Sequence, residues 1–515
     1  MKRLYSLIFV ALMGLSSCSE DFLNLYPDTS VNSSSFYKTA EHFDQALIGS
    51  YEKLRSIALK GIFMDEMRSD NTFFTRYSGD RSPYLNVEVV ALFLDDETTA
   101  VLSENYNDVY IGIARLNTIL NRINGSQMTD TEKAKVKAEA LFMRSFYYFH
   151  LVQRWGPVPL MLKEVTSEKE AFEPNSTVDA IYTQLVSDLN EAIKIGLPMP
   201  GSFPMSGRAT QGAAKMLRAY VNMTKPNREY EKAEQDLKDI TQMGYGLEAD
   251  YARVFDPTNK NGKESIFEVQ YLDGEGGQHS EIPWKYIPMC TNTDFLMGIR
   301  LDNYAGVSGG WAVPTAEMIR SYEPGDNRLS VSVHIAEGIL EDEQFTVDKL
   351  VKEDIQNYTP PTGKSFRYFV SKYYHPPYTY AGRTGDNFPL YRYSGALLLL
   401  AESLVEQGKD AEALPYLNQV RERAGLKALT TATKQNVSDE MRHELAFENH
   451  RWMDLVRTGQ AIAVMNEFGQ EMKKLHGWIL PSAFNITEQR LIYAFNKRDL
   501  EVNDKLVQNP GYKDY

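Results

Sequence analysis

The sequence predicts a mainly α-helical protein of tetratricopeptide-like helical repeats, about four helix pairs, with a large irregular and loop-rich insertion. Apolar residues recur every three or four positions over most of the chain, which is the period of a helix. The regions 209–243 and 391–425 each hold two such patterns within about 34 residues, with a small alanine near each expected crossing, as in a tetratricopeptide repeat. Residues 245–390 instead contain many glycines, prolines and aromatic residues and few long helical patterns.

Four helix pairs are expected in order along the chain. They cover residues 40–123, 130–195, 209–243 and 391–425. The second pair has the clearest boundaries, because Thr129 and Glu132 have the spacing of a capping box and Gly156 and Pro157 stop the first helix. The full repeat consensus is absent from the sequence, so the pairs are interpreted as degenerate repeats.

Two irregular segments interrupt the helical pattern and are predicted to form a binding face. The larger is 245–390, in which Ser265 to Tyr271 reads like a strand, and the smaller is 62–99, inside the first pair. Insertions in a helical array usually lie on one face, and that face often binds the ligand. We therefore expect the two segments to meet in space.

The N-terminus has the pattern of a secretory signal. Two basic residues precede an apolar run, Leu4 to Leu15, which is shorter than the ~20 residues that a membrane span needs. The stretch Leu15 to Cys18 resembles a bacterial lipobox, in which the cysteine is acylated and the peptide before it is removed. Residues 1–17 are therefore expected to be a lipoprotein signal peptide and Cys18 the lipidation site that tethers the protein to a membrane. The alternative is a plain secreted protein with a chance cysteine.

Residues 18–515 are expected to form one domain, with an N-terminal part of about 18–330 and a C-terminal part of about 331–515. Residues 19–35 are interpreted as an extended tether that ends on the fold. The net charge of -14 argues against nucleic acid or an anionic membrane surface as a partner. The sequence has two cysteines, so a lipidated Cys18 leaves no partner for a disulfide.

The sequence gives little support for catalysis or metal binding. The stretch from His443 to Phe447 begins like a zinc-protease motif, but phenylalanine stands where the second histidine is needed. No Gly-x-Ser-x-Gly elbow occurs in the sequence, and the glycines at 274, 276 and 277 are followed by no P-loop lysine. Acidic runs at 95–97 and 341–343 leave glycoside hydrolysis open without supporting it. We therefore predict a protein that is not an enzyme, with no metal and no cofactor.

Aromatic and polar residues of the two irregular segments are the better candidates for a site. Tryptophan and tyrosine rings stack on the apolar faces of sugars, while Asp, Asn and Arg side chains bind sugar hydroxyl groups. The predicted ligand-binding residues are Asp70, Asn71, Phe74, Tyr77, Arg81, Trp284, Tyr286, Tyr304 and Trp311. The alternative is that these aromatic residues fill a core between loops and helices.

Six segments spread along the chain carry recognisable motifs. They are Cys18 to Leu23 with the following Pro27, Trp155 to Leu160, Thr210 to Lys215, Tyr322 to Arg328, Asn418 to Gly425, and Arg442 to Arg457. Together they resemble the SusD/RagB family of surface lipoproteins. The last two segments are the most specific, and the resemblance runs from Cys18 to the C-terminus.

The resemblance implies an α-helical fold with four tetratricopeptide-like pairs and a looped ligand face. It also implies a lipid anchor in the outer membrane, facing outward, and a stable partner, a SusC-like TonB-dependent transporter. In that family the lipoprotein covers the transporter barrel, captures an oligosaccharide or polysaccharide and delivers it for import. Ligand residues vary between family members, so the predicted site residues come from the two irregular segments alone.

Three other functions stand beside glycan capture. The first is peptide binding on the same scaffold. Trp284 and Trp311 favour a sugar over a peptide as the ligand, because their rings offer stacking surface. The second is an all-helical glycoside hydrolase, and the third is an interaction scaffold that binds no small ligand.

Overall fold

A computed structural model describes residues 36–77, 79–299, 309–378 and 382–513 of the protein. The predicted signal peptide, the predicted lipidation site Cys18 and the predicted ligand residue Tyr304 lie outside these residues. Among the described residues, no helix combines the length and the apolar character needed to cross a membrane.

Helices dominate the described chain. They are α1 Ala40–Tyr51, α2 Lys53–Gly61, α3 Ser82–Ala91, α4 Ala100–Arg122, α5 Asp130–Trp155, α6 Glu168–Ala171, α7 Val178–Ile195, α8 Gln211–Thr224, α9 Tyr230–Thr241, α10 Ile282–Tyr286, α11 Thr293–Met297, α12 Ala316–Ser321, α13 Arg328–Ser332, α14 Tyr393–Glu406, α15 Asp410–Arg423, α16 Lys434–Glu444, α17 Arg451–Arg457, α18 Ala461–Leu475 and α19 Lys497–Val502. A π-helical turn, Ile62–Glu66, continues α2.

The long helices stack side by side in the order α1, α4, α5, α7, α8, α9, α14 and α15. Each packs against the next, so the array runs through all four predicted pairs and confirms the mainly helical, repeat-like fold. The predicted start and stop signals of α5 are confirmed. The Thr129 hydroxyl accepts from the backbone of Glu132 and the Glu132 side chain accepts from the backbone of Thr129, while Gly156 ends the helix at a φ of 67°.

Short strands lie in the irregular segments. They are β1 Thr72–Phe73, β2 Ser265–Val269, β3 Val313–Pro314, β4 Val333–Glu341, β5 Gln344–Val351, β6 Ser365–Val370 and β7 Phe388–Arg392. All pairs are antiparallel: β1 with β3, β2 with β7, and a three-stranded sheet in the order β5, β4, β6. The predicted strand around residue 265 is therefore confirmed as β2.

The early and late irregular segments meet in the small β1–β3 sheet. Thr72 lies opposite Pro314 and Phe73 opposite Val313, and the Thr75 amide donates to the Gly310 carbonyl at 2.8 Å. This pairing confirms that residues 62–99 and the insertion share one face. Loops that come from distant parts of the sequence are thereby held in fixed positions relative to each other.

Buried ion pairs join the insertion to the helical array. Glu444 of α16 accepts from Arg392 of β7 at 2.9 Å, from Arg423 of α15 at 2.5 Å and from Arg328 of α13 at 3.2 Å. The side chain of Glu444 has no exposed surface, and those of the three arginines are 4% exposed or less. Burial alone would raise the pKa of this carboxyl group, but the arginines hold its pKa well below the ordinary value. The network therefore fixes the position of the insertion on the array.

Candidate functional site

Three rings form a row on the face where the irregular segments meet. Tyr77 and Tyr84 have ring centroids 5.6 Å apart, and Tyr84 stacks on Trp311 at 4.4 Å with 29° between the ring planes. Each of the three side chains is partly exposed to solvent. Phe63 supports the row by packing edge-on against Trp311, with centroids 5.8 Å apart. We call Tyr77, Tyr84 and Trp311 the aromatic platform.

Both irregular segments build the platform. Tyr77 follows β1, Tyr84 lies in the first turn of α3, and Trp311 precedes β3. The Asp80 carboxylate accepts from the backbone amide of Ser82 at 2.9 Å, which orders the start of α3. The rings therefore depend on the β1–β3 pairing and on the start of one helix for their arrangement.

A close backbone approach fixes Trp311 beside the early segment. Gly310 has a φ of 76°, and a Cβ at this position would lie 2.7 Å from the Met289 Cβ and 3.1 Å from the Thr75 Cβ. Only glycine fits both the backbone conformation and the space.

The substitution Gly310→Ala is expected to destabilise the protein by about 2 kcal/mol or more, since it adds left-handed strain of roughly 1–2 kcal/mol to a steric clash. Denaturant unfolding measures the change. Gly363→Ala is the matched control, because Gly363 also has a positive φ of 81° but no atom would meet its Cβ within 4 Å. Equal losses in the two variants would contradict the close-approach argument.

A second partly exposed ring packs against the early segment. Trp478, in the turn after α18, is partly exposed and lies over Phe74 with centroids 5.6 Å apart. The Arg76 guanidinium is placed 5.0 Å from the Trp478 ring centroid, in cation–π geometry, and Arg76 is exposed. Planar stacking surface and cationic donors therefore occur together near the platform.

Arg81 lies between Tyr77 and Tyr84 in the sequence, but its side chain already has a partner. Its guanidinium forms an ion pair with the carboxylate of Glu88, about two helical turns along α3. The Glu88 side chain is 2% exposed, and burial raises the pKa of its carboxyl group despite the nearby Arg81. Within the described residues, Arg81 Nε and Glu88 Oε1 have no hydrogen-bond partner. Arg81 thus orders the loop through its ion pair with Glu88.

Asp70 and Asn71 do not lie on the exposed surface, which corrects the prediction that they contact ligand. Asp70 forms ion pairs with Arg451 at 2.8 Å and Arg442 at 3.0 Å. Asn71 is fully buried, donates to Glu66 at 3.1 Å and accepts from Arg442 at 2.9 Å. The side chains of both residues are therefore already bonded to arginines about 370 positions away in sequence, and these contacts hold β1 against the C-terminal helices.

The ion pairs of Asp70 predict an acid-sensitive contribution to stability. Burial opposes ionisation, but Arg442 and Arg451 lower the pKa of Asp70 to about 2 from 3.8. A depressed pKa stabilises the fold above the unfolded-state pKa, and this contribution of about 2 kcal/mol is lost as the pH falls from about 5 to 2. Unfolding free energies of wild type and Asp70→Asn should therefore converge over that range. Exposed Asp504→Asn is the control, and a difference that stays constant with pH would contradict the assignment.

Three other predicted residues have different surroundings from those expected. Phe74 and Trp284 are each 5% exposed, and Tyr286 is 1% exposed. Trp284 packs on Tyr378 at 5.0 Å in an apolar cluster beneath the three-stranded sheet, while the Tyr286 hydroxyl donates to the Phe447 carbonyl at 3.0 Å. The prediction that they line an exposed surface is therefore wrong, and Tyr304 lies outside the described residues.

Tyr77, Arg81 and Trp311 remain at the site, and Tyr84 and Trp478 join it. Tyr84 belongs to the same early segment as Tyr77. Trp478 follows glycine in a short turn after α18, a position where a large ring is left partly exposed. An exposed ring in a helix-terminating turn is the sequence signal that points to Trp478.

The described residues offer no arrangement typical of a metal centre. Across 36–77, 79–299, 309–378 and 382–513, no three His, Cys, Asp or Glu side chains are grouped so that they could hold an ion. His443 is buried and contacts the Ser321 hydroxyl at 2.9 Å through Nε2. Desolvation and the surrounding arginines hold its pKa well below the ordinary value, so it stays neutral.

Comparison with known proteins identifies the family. A model described as the SusD family matches residues 263–512, and a model described as starch-binding, associating with the outer membrane, matches residues 21–221. The chain therefore belongs to the SusD/RagB family. This agrees with the fold and with the exposed aromatic face.

Individual relatives extend over nearly the whole chain. A SusD-like protein of Formosa agariphila is 26% identical and covers 98% of each chain. The starch-binding protein SusD of Bacteroides thetaiotaomicron is 24% identical, covering 78% of this chain and 77% of its own. The solved structure of a laminarin-binding SusD-like protein is 25% identical, covers 92% of this chain and all of its own, and superposes with a TM-score of 0.73.

Proposed function

We propose that the protein captures glycan at the cell surface and that the aromatic platform is its ligand site. The observation that carries the proposal is the partly exposed Tyr84–Trp311 stack, built jointly by the early and late irregular segments. Large rings at a protein surface are costly in water unless they serve recognition. The laminarin-binding and starch-binding relatives support a carbohydrate as the ligand.

The chemistry of the platform suits a sugar polymer. Pyranose rings have apolar C–H faces that lie on aromatic rings, and hydroxyl groups that need donors and acceptors around them. Tyr77, Tyr84 and Trp311 supply the stacking surface, and Arg76 and Arg81 supply guanidinium donors. An open row of rings also permits binding along a chain and ready release, which suits capture followed by transfer.

Catalysis is not part of the proposal. The laminarin-binding and starch-binding relatives are binding proteins by description, and the described residues around the platform show no pair of facing carboxylates of the kind that glycoside hydrolysis uses. Within the described part of the loop, Glu88 is buried against Arg81 and Asp80 is held by Ser82. The platform is therefore proposed to bind glycan and leave it uncut.

We further propose that Cys18 carries a lipid anchor in the outer membrane, that the protein faces outward, and that it hands glycan to a SusC-like TonB-dependent transporter. The lipobox-like stretch Leu15 to Cys18 supports the anchor. The family description of a protein associating with the outer membrane supports the location. Membrane fractionation of wild type and Cys18→Ala tests the anchor, since loss of the cysteine should release the protein to the soluble fraction.

Affinity gel electrophoresis against a panel of polysaccharides and peptides tests the ligand class. Glycan capture predicts that at least one neutral or acidic polysaccharide retards the protein and that no reducing ends appear over time. Retardation by no polysaccharide, together with measurable peptide binding, would favour the peptide-binding alternative. Release of reducing ends would show that the site is catalytic.

A further inference from the structure

A groove lies beside α4, between residues 159–172 and the C-terminal segment 498–506, and no platform residue lines it. It encloses about 490 Å³, which is the size of a typical ligand cleft. Its apolar wall includes Tyr106, Tyr110, Met161, Val165, Phe172 and Val502. Within this wall Val165 is 43% exposed and Val502 is 56% exposed. Apolar surface that lines a groove and faces water is a feature of docking sites.

The described chain begins next to this groove. The Tyr37 ring lies 5.1 Å from the guanidinium of Arg122, at the end of α4, and Arg122 forms an ion pair with Glu164. Lys163 and Val165, the neighbours of Glu164, both line the groove. The backbone of Lys38 is fixed there as well, because its carbonyl accepts from the Gln127 amide at 2.9 Å. The first described residues therefore lie at one end of the groove.

Residues 20–27, which precede the described chain and which we call the leader, have apolar and charged side chains that complement those of the groove. Residues 22–26 contain four large apolar side chains, Phe22, Leu23, Leu25 and Tyr26, around a single asparagine. Glu20 and Asp21 come directly before them, while the groove is lined by two basic residues, Lys163 and Arg498, and one acidic residue, Asp499. A family model also begins its match at residue 21, so the leader belongs to the shared pattern of the domain.

We propose that the leader, residues 20–27, docks in the groove along α4 and, resting on the proposed lipid anchor at Cys18, holds the protein close to the membrane. The 17 residues from 19 to 35 reach at most about 60 Å when extended, which is ample to follow the groove. As a free coil they would hold the anchor on a tether of about 23 Å root-mean-square length. Docking leaves one residue between Cys18 and the bound segment, so the domain has a defined orientation toward the membrane.

Hydrogen–deuterium exchange on the full lipidated chain in detergent micelles tests this proposal. Amides of residues 20–27 should exchange about tenfold or more slowly than in the isolated peptide 19–35. Ala114→Arg, which fills the groove, should restore the peptide rate, whereas Ala411→Arg on exposed α15 should not. Leu25→Asp should restore the peptide rate for the leader and also accelerate exchange of residues 159–165.

Three outcomes would overturn the proposal. The first is exchange of residues 20–27 at the peptide rate in wild type. The second is slow exchange that persists in Leu25→Asp, a variant that leaves the folded domain unchanged and so decides the case even where Ala114→Arg fails to fold. The third is protection of residues 159–165 that grows with protein concentration, which would assign the groove to a second copy of the chain. Glycan affinity is independent of all three.

Discussion

Replacing Trp311 with alanine is expected to weaken glycan binding by about 30-fold. The indole is the largest ring of the platform and is stacked on Tyr84 at 4.4 Å, so its loss removes both its own stacking surface and the contact that orients the Tyr84 ring from that side. Truncating an aromatic anchor costs about 2 kcal/mol, which corresponds to about 30-fold in the dissociation constant. Isothermal titration calorimetry with a polysaccharide fragment that retards the wild-type protein measures this change.

The matched control for this experiment is Phe295→Ala. Phe295 is 50% exposed, so its loss removes a similar exposed ring from a different part of the insertion. Its binding constant should stay within about twofold of wild type, since a residue outside the site contributes little. Trp311→Tyr should lie between wild type and Trp311→Ala because it keeps a ring. If wild type and Trp311→Ala are both folded and bind the glycan with equal affinity, the aromatic platform is not the ligand site.

Replacing Glu444 with glutamine is expected to destabilise the protein by about 3–5 kcal/mol. The carboxylate pairs with three buried arginines, Arg328, Arg392 and Arg423, and a neutral amide would remove the one charge that all three share. The other buried carboxylates that pair with these arginines are Asp326, Glu440, Glu264 and Glu448. The loss should be seen as a lower midpoint in guanidinium chloride unfolding at pH 7, followed by circular dichroism. Because the network joins β7 and α13 to α15 and α16, the insertion should loosen together with the array.

Glu191→Gln is the control for the buried network. Its carboxylate pairs with Lys137 at 3.1 Å, but the two side chains are 40% and 44% exposed. An exposed pair contributes about 0–1 kcal/mol, so the unfolding midpoint should barely change. Similar midpoints for the Glu444 and Glu191 variants would contradict the role given to the buried network.

Local pattern was sufficient to predict the helical part of the fold. The helix period, the capping box at Thr129 and the glycine and proline after Trp155 act within one or two turns, and the structure has α5 as these signals predict. The meeting of residues 62–99 with the insertion was predicted from the rule that insertions share a face of a helical array. The β1–β3 pairing confirms it.

The site was predictable only in part because burial depends on distant residues. Asp70 looks like a surface residue in a polar stretch, but Arg442 and Arg451 reach it from more than 370 positions away. Trp284 looks like a binding ring, but it is covered by the cluster beneath the three-stranded sheet. Neither the arginine contacts of Asp70 nor the burial of Trp284 can be inferred from the residues that neighbour them in the sequence. Tyr77 and Trp311 are partly exposed, as predicted for the aromatic residues of the two irregular segments, and the structure places both near the short β1–β3 pair.

A crystal structure of the protein bound to an oligosaccharide from the retarding polysaccharide tests the central claim most directly. The proposed function predicts sugar rings stacked along Tyr77, Tyr84 and Trp311, with hydroxyl groups in reach of Arg76 or Arg81. An oligosaccharide bound elsewhere, with the aromatic platform exposed to solvent, would contradict it.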